Sequence, residues 1–308
     1  MKHINTNAQL QKLHNDQLQE LSQEDIENIQ HIILSMIADL DQYFQKHDIH
    51  YYLGGGSALG SIRHQGFIPW DEDMDINMLS TDIDKLANLF KTDSYLSEKY
   101  YFCENDYDHE FDVNFARIKL KGTSFKEYLY KDYSKDGIFI DIFPVENVPD
   151  NKLLRNIQGF FVTSLLFICS CVRIKDKKEL YLNFQGDDTY TSGIQKKVRI
   201  GKIFAFRSLN KWLKSSKKMM RKCKNQHSQY ITVPTGKRHY FGEMYKREDI
   251  FPVVYKKFND IELPVARHNE IYMSKMFGDY MKIPAVEDRE RHFICSYNLG
   301  AYKTKKEE

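Results

Sequence analysis

Two neighbouring stretches of the chain hold residue types that could do chemistry: Gly54-Gly55-Gly56-Ser57, and then Trp70-Asp71-Glu72-Asp73-Met74-Asp75-Ile76. Asp73 and Asp75 are two apart. On a strand both would point to one face, while Met74 and Ile76 turn into the core behind them. Carboxylates that close repel one another, and Asp71 and Glu72 stand beside them. A divalent cation that prefers oxygen ligands, Mg²⁺ above all, would compensate that charge, and Mg²⁺ in turn points to a phosphate-bearing substrate. A third acid, Asp141, interrupts the apolar run Ile138-Phe139-Ile140-Asp141-Ile142-Phe143. Burying an unpaired carboxylate costs on the order of several kcal/mol. Asp141 therefore needs a partner, and the cation at Asp73 and Asp75 is a candidate. Gly55, Gly56 and Ser57 supply the complementary part. Glycine lets the backbone approach a phosphate closely, and the N–H groups that open a helix favour an anion.

The surrounding pattern shows what positions these residues. Ser22 with Asp25 resembles a capping box, and Ile26, Ile29, Ile33, Met36, Ile37, Leu40 and Phe44 follow at steps of three or four, which predicts an amphipathic helix. A short β-prone run, 49–53, ends at the glycines, and a helix starts near Ser57. Residues 66–69 read as loop because of Pro69. Further strands are expected at 73–78, 113–120 and 137–143, with a helix at 82–90. The fold class this implies is α/β (α+β), a mixed sheet with a helical insertion.

Composition removes several classes of function. The chain has 308 residues, 42% hydrophobic and 14% aromatic, enough for a substantial core, so a disordered or fibrous protein is excluded. Its 45 Lys and Arg nearly balance 43 Asp and Glu, so overall charge selects no nucleic-acid partner. The five cysteines form no even framework and no Cys-x-x-Cys pair, as expected for reduced thiols in the cytoplasm. Residues 1–25 are polar, without the apolar core of a secretory signal. Charge is nonetheless uneven. Between Arg173 and Lys224 sixteen basic residues face four acidic ones. Just before that segment, residues 156–172 carry no charge, a length at the lower limit for spanning a bilayer, which reads as a buried or membrane-touching helix. The expected organisation is an N-terminal helical segment (1–48), a catalytic core (49–149), a basic helical insertion that binds acceptor or membrane surface (150–230), and a C-terminal part packed back on the core (231–308).

The glycine-serine turn followed by Asp73-Met74-Asp75-Ile76 and a later third acid resembles the nucleotidyltransferase-fold signature. The longer text from Arg63-His64 through Gly66-Phe67-Ile68-Pro69-Trp70-Asp71-Glu72-Asp73-Met74-Asp75-Ile76 is similar to the LicD family of phosphotransferases, which includes fukutin-related protein. The likeness continues at Phe139-Ile140-Asp141-Ile142-Phe143-Pro144 and at Phe277-Gly278-Asp279-Tyr280-Met281 with Pro284, Arg289 and His292. Glu72 stands where the family commonly has Asp. The resemblance implies transfer of a phosphorylated alcohol, such as phosphocholine, from a CDP-linked donor to a sugar hydroxyl of a surface glycan (lipopolysaccharide, teichoic acid or capsule), with release of CMP. One or two Mg²⁺ ions, or Mn²⁺ in their place, would be held by Asp73, Asp75 and Asp141, with Asp141 also accepting or orienting the hydroxyl proton. Arg63, His64, Arg117 and Lys119 are candidates for neutralising phosphate oxygens. The acceptor would be a sugar or lipid-linked glycan, met by a cytoplasmic enzyme in peripheral contact with the inner face of an anionic membrane, and no nucleic acid is expected.

Other readings stand beside this one. The same fold could move the nucleotide itself to a small-molecule or protein acceptor, or the basic segment could make a non-catalytic adaptor for nucleic acid or anionic membrane. Arg63 and His64 could instead lock the loop against Asp71 or Glu72. Tyr128, Tyr130 and Tyr133 are candidates either for a cage around a choline-like cation or for core.

Overall fold

The computed structural model describes residues 15–302 apart from 131, 185, 187 and 291. The first fourteen residues of the polar N-terminal stretch lie outside the described residues, as do Gln185 and Asp187 of the glycine-containing turn in the insertion. Numbering helices of nine or more residues, the order is α1 Gln23–Lys46, β1 Tyr51–Leu53, α2 Gly55–His64, β2 Asp75–Leu79, α3 Ser80–Thr92, β3 Tyr100–Cys103, β4 Ala116–Leu120, β5 Ser124–Glu127 and β6 Phe139–Val148. There follow α4 Lys152–Asp176, α5 Asp188–Ile203, α6 Leu209–Met220, β7 Tyr230–Thr232, β8 Met244–Lys246, β9 Val254–Phe258, β10 Ile261–Val265, α7 Asn269–Phe277 and β11 Ile294–Asn298.

The fold is α/β, built on a mixed seven-stranded sheet of order β1-β2-β6-β4-β3, extended by β7 on β6 and β8 on β7. Only the β2–β6 pairing is parallel within it. Two hairpin-like pairs, β9 with β10 and β5 with β11, lie apart from the main sheet.

α1 forms as its spacing predicts. Ser22 and Asp25 close a reciprocal capping box, and Ile29, Ile33, Met36, Ile37, Leu40 and Phe44 are all buried against the sheet core. Each such side chain contributes about 1.5–3 kcal/mol by leaving water. The N-terminal helix is thus part of the same core cluster as Ile76, Met78, Ile118, Ile140 and Ile142. Those last five alternate along β2, β4 and β6 and leave the opposite face for polar residues.

Two boundaries differ from the sequence reading in a way that matters below. β2 begins at Asp75, so Asp73 sits in the extended approach to the strand and not on it. β6 runs to Val148, longer than expected, because β7 returns from the far side of the helical insertion to pair with its second half, Glu146 facing Thr232. α4, α5 and α6 pack along one another, and α4 buries Val162, Cys169 and Val172 on its inner side.

Candidate active site

A row of charged residues crosses three strands. Asp75 on β2 is the register partner of Asp141 on parallel β6, and Asp141 is the register partner of Arg117 on antiparallel β4. Side chains in register share a face, so Arg117, Asp141 and Asp75 stand side by side. Arg117 grips Asp141 with two bonds, Nε to Oδ1 at 2.5 Å and Nη2 to Oδ2 at 2.9 Å, and gives Nη1 to Glu127 at the end of β5. Its guanidinium also lies 3.4 Å from the centroid of the Phe139 ring. This is the partner that Asp141 needed: an arginine, with two acids sharing it.

The glycine turn closes the other side of the row. Gly55 has φ +40°, and a Cβ there would come within 2.5 Å of Asp75 Oδ2. A Cβ on Gly56 would come within 2.7 Å of Asp71 Oδ2. Both positions are glycine because carboxylate oxygens occupy the space a side chain would need. Ser57 Oγ accepts from Asp75 N at 2.9 Å, while Gly55 N and Asn77 Nδ2 both donate to the Tyr272 hydroxyl, at 3.2 and 3.1 Å. The start of α2 thus lies directly against Asp71 and Asp75, with the Gly55 N–H taken up by Tyr272 and Ser57 bonded to the Asp75 backbone.

The C-terminal part supplies a cation that sequence reasoning left out of the site. His292 Nε2 is 3.2 Å from Asp73 Oδ2, and its Nδ1 is 3.2 Å from Glu72 Oε1, which also accepts from the His292 backbone N–H at 3.1 Å. Arg289 stacks 3.8 Å from the Trp70 ring centroid. The late motif therefore lies directly on the Trp70–Asp75 text. His292 was visible in the sequence only through the family resemblance. Glu127, Tyr272 and Asn77 gave no signal beyond ordinary strand or helix positions.

Electrostatics follow from this crowding. Burial, followed by repulsion from neighbouring carboxylates, holds the Asp71 and Asp75 carboxyls well above the usual range. Asp73 is also raised, chiefly by burial, against the pull of His292. Asp141 is raised by burial, with Arg117 opposing. On Glu127 burial works upward too, but Arg117 outweighs it and the carboxyl ends below its ordinary value. Burial disfavours the His292 cation, yet Asp73 and Glu72 prevail and its pKa is raised well above normal. Strong mutual perturbation in a cluster of this kind is the usual mark of a functional site.

Among the described residues no three His, Cys, Asp or Glu side chains are arranged so that they could hold a metal ion. The three-acid set of Asp73, Asp75 and Asp141 is accordingly not assembled in this conformation, because Arg117 engages both oxygens of Asp141 and His292 faces Asp73. The donor chemistry nevertheless suits a hard divalent cation. Carboxylates raised by burial and then by mutual repulsion would be relieved by one, and the donors on Asp73, Asp75 and Asp141 are all oxygens.

The remaining candidates lie elsewhere or do other work. Arg63 and His64 sit at the far end of α2, about 12 Å along the helix from Gly55. Arg63 donates to the carbonyls of Tyr280 at 2.9 Å and Lys282 at 3.3 Å and to His64 at 2.9 Å, so it anchors the C-terminal segment and not the acid loop. Lys119 is buried on the Arg117 face of β4, donates to the Lys135 carbonyl at 2.7 Å, and has its pKa lowered by burial. The tyrosines do not make an open cage: Tyr128 is fully buried, and the Lys177 ammonium lies 5.0 and 4.9 Å from the Tyr130 and Tyr133 ring centroids. Lys177 also pairs with Asp112 at 3.0 Å. The C-terminal end of α4 therefore reaches the aromatic wall beside Arg117, which faces the same Tyr130 ring at 5.9 Å.

Comparison with known proteins shows what part of the chain is similar to. Residues 48–159 match the profile described as LicD/FKTN/FKRP, nucleotidyltransferase domain. The chain is 26% identical over 254 residues to the lipopolysaccharide cholinephosphotransferase LicD of Haemophilus influenzae, covering 81% of this chain and 89% of that protein. Shorter matches, each 36% identical over 50 residues and 16% of this chain, are to the uncharacterized proteins RP689 of Rickettsia prowazekii and RT0683 of Rickettsia typhi, covering 19% and 16% of those proteins.

Proposed function

From the premise that residues 48–159 are a LicD-type nucleotidyltransferase domain, we propose that the protein is a phosphotransferase that moves phosphocholine, or a similar phosphorylated alcohol, from a CDP-linked donor to a hydroxyl of a surface glycan and releases CMP. The relative from Haemophilus influenzae is named for transfer of cholinephosphate to lipopolysaccharide. The observation that carries the reading is the in-register row Asp75–Asp141–Arg117 standing against the glycine turn.

Each group has a task in that reaction. The backbone N–H groups of Gly56 and Ser57 bind the donor diphosphate, helped by the partial positive charge of the helix start, while Tyr272 holds Gly55 in place. Asp73 and Asp75 would hold Mg²⁺ or Mn²⁺, with Asp141 as a further ligand; a divalent ion there supplies charge neutralisation and a more acidic acceptor hydroxyl. Arg117 and Glu127 hold Asp141 where it accepts the hydroxyl proton. The acceptor oxygen forms a bond to the phosphorus of the phosphoalcohol, the bond to the bridging oxygen breaks, and that oxygen leaves with CMP. Positioning and charge account for most of such catalysis. We place the reaction at the inner face of the cytoplasmic membrane, where lipopolysaccharide, teichoic acid or capsule precursors are displayed.

Product analysis across a panel of CDP-choline, CDP-glycerol and CDP-ribitol, with Mg²⁺ and an isolated glycan, tests the reading. CMP should appear together with the substituted glycan. Free phosphoalcohol together with a cytidylylated acceptor would instead assign the same fold to nucleotide transfer.

A further inference from the structure

The outer side of α4 carries a stripe of large apolar side chains that the described residues leave exposed. Leu153, Ile157, Phe160 and Phe167 recur at helical spacing, and they are 68%, 44%, 65% and 43% exposed. Phe161 beside them is also exposed. The stripe is widened by its neighbours. Phe241 abuts Gly159, and Gly201 abuts the Cys171 carbonyl, which brings the exposed end of α5 and the following Phe206 to the stretch of α4 beyond Phe167. Scattered apolar residues on a surface need no explanation, but a contiguous aromatic patch of this length does.

The rim of the patch is basic. Lys196, Arg199 and Lys202 follow at three-residue steps along the exposed side of α5, and none of them pairs with an acid among the described residues. Exposed Lys152 opens α4 and exposed Lys211 lies on α6. Aromatic and aliphatic side chains on one face with unpaired lysine and arginine around them are the features of a helix lying in the interface of an anionic bilayer. A second copy of the chain fits less well, because a face-to-face pair would set these like charges against each other. A nucleic acid would satisfy the cations and leave the phenylalanines in water.

α4 is long and apolar enough to cross a membrane by length and composition. It is, however, committed to α6, where Cys169 meets Ser216, and to α5, where Gly201 meets the Cys171 carbonyl, so docking flat keeps the fold intact where crossing would strip it. We infer that the exposed face of α4, with the ends of α5 and α6, docks the protein on an anionic lipid bilayer. Because the other end of α4 carries Lys177 to the wall of the acid site, docking would hold that site near lipid-linked acceptors. The inference rests, for its purpose, on the proposed action at a membrane face, but binding is measured without turnover.

The test uses the full chain in co-sedimentation with vesicles of phosphatidylcholine alone and of phosphatidylcholine mixed with phosphatidylglycerol. Wild type should sediment with the mixed vesicles and not with the neutral ones. Phe160→Ser/Phe161→Ser and, separately, Lys196→Glu/Arg199→Glu/Lys202→Glu should each weaken that binding by about tenfold or more, with circular dichroism and CMP release on a soluble glycan unchanged. Absence of wild-type binding, or undiminished binding by both variants, would overturn the inference. So would a concentration-dependent dimer that the phenylalanine variant abolishes while vesicles remain unbound. Vesicle binding without CMP release would sink the proposed reaction and leave the docking surface standing.

Discussion

Around the acid row two buried or half-buried cations serve four carboxylates: Arg117 meets Asp141 and Glu127, and His292 meets Asp73 and Glu72. Along the outer side of α4 the reverse holds, with phenylalanines left in water and cations left without acids. The first region crowds acids and their cations together on and beside the central sheet, where burial strengthens every charge interaction. The second gains only when something covers it. Under the two proposals, the first region does chemistry and the second adheres, and substitutions in the two should then act on different observables.

The largest stability effect should come from breaking the buried pairing. Arg117→Met leaves Asp141 and Glu127 buried without their cation and should cost about 3–5 kcal/mol in urea unfolding. The double variant Arg117→Met/Glu127→Gln should recover part of that loss, because one of the two stranded charges is gone. Lys202→Glu on the α5 rim should leave the unfolding midpoint unchanged.

Gly55→Ala comes next. Its Cβ would press on Asp75 Oδ2 from a left-handed backbone position, at a cost of about 1–3 kcal/mol. Displacing that carboxylate should lower the rate of CMP release by about a hundredfold. A rate near wild type would mean that the turn and Asp75 are not one unit.

A smaller effect distinguishes burial from catalysis. Glu146, at the other end of β6, accepts from Ser80 Oγ at 2.6 Å, and burial raises its pKa from 4.5 to about 7. An acid whose folded pKa lies above its unfolded one binds protons more tightly when folded, so stability falls as pH rises from about 4.5 through 7 and the deficit is full above that. Glu146→Gln removes the penalty. It should stabilise the protein at pH 8 by on the order of 2 kcal/mol and make little difference near pH 4.5, in thermal unfolding followed at both values. Turnover at saturating donor should hardly change.

Much of the acid site could be read from the chain because its signals are local. A charge inside Ile138–Phe143 demands a partner, and alternate acids beside a glycine turn demand a cation or a phosphate. α1 was legible for the same reason, through its cap and its spacing. What could not be read is what arrives from far along the chain. Glu127 reaches Arg117 because β5 is pinned by β11, and His292 reaches Asp73 from the segment just before β11. Tyr272 meets Gly55 from α7. His292 was marked only by the family likeness, and Glu127 and Tyr272 do not differ in type or spacing from ordinary structure, so the closed fold alone shows what all three touch. Alternation placed Asp73 on the strand, but the strand starts two residues later, since pairing with β6 begins at Asp75 opposite Asp141. Arg63 has the right charge for a phosphate, but helix geometry carries it to the wrong end of α2.

The most direct test of the central claim is CMP release from CDP-choline, with Mg²⁺ and an acceptor glycan present, by wild type and by Asp75→Asn, a substitution that keeps shape and removes one charge from the row. The account predicts steady CMP release by wild type, loss of at least about a thousandfold in the variant, and an unaltered circular dichroism spectrum. Release at the wild-type rate by Asp75→Asn would contradict it.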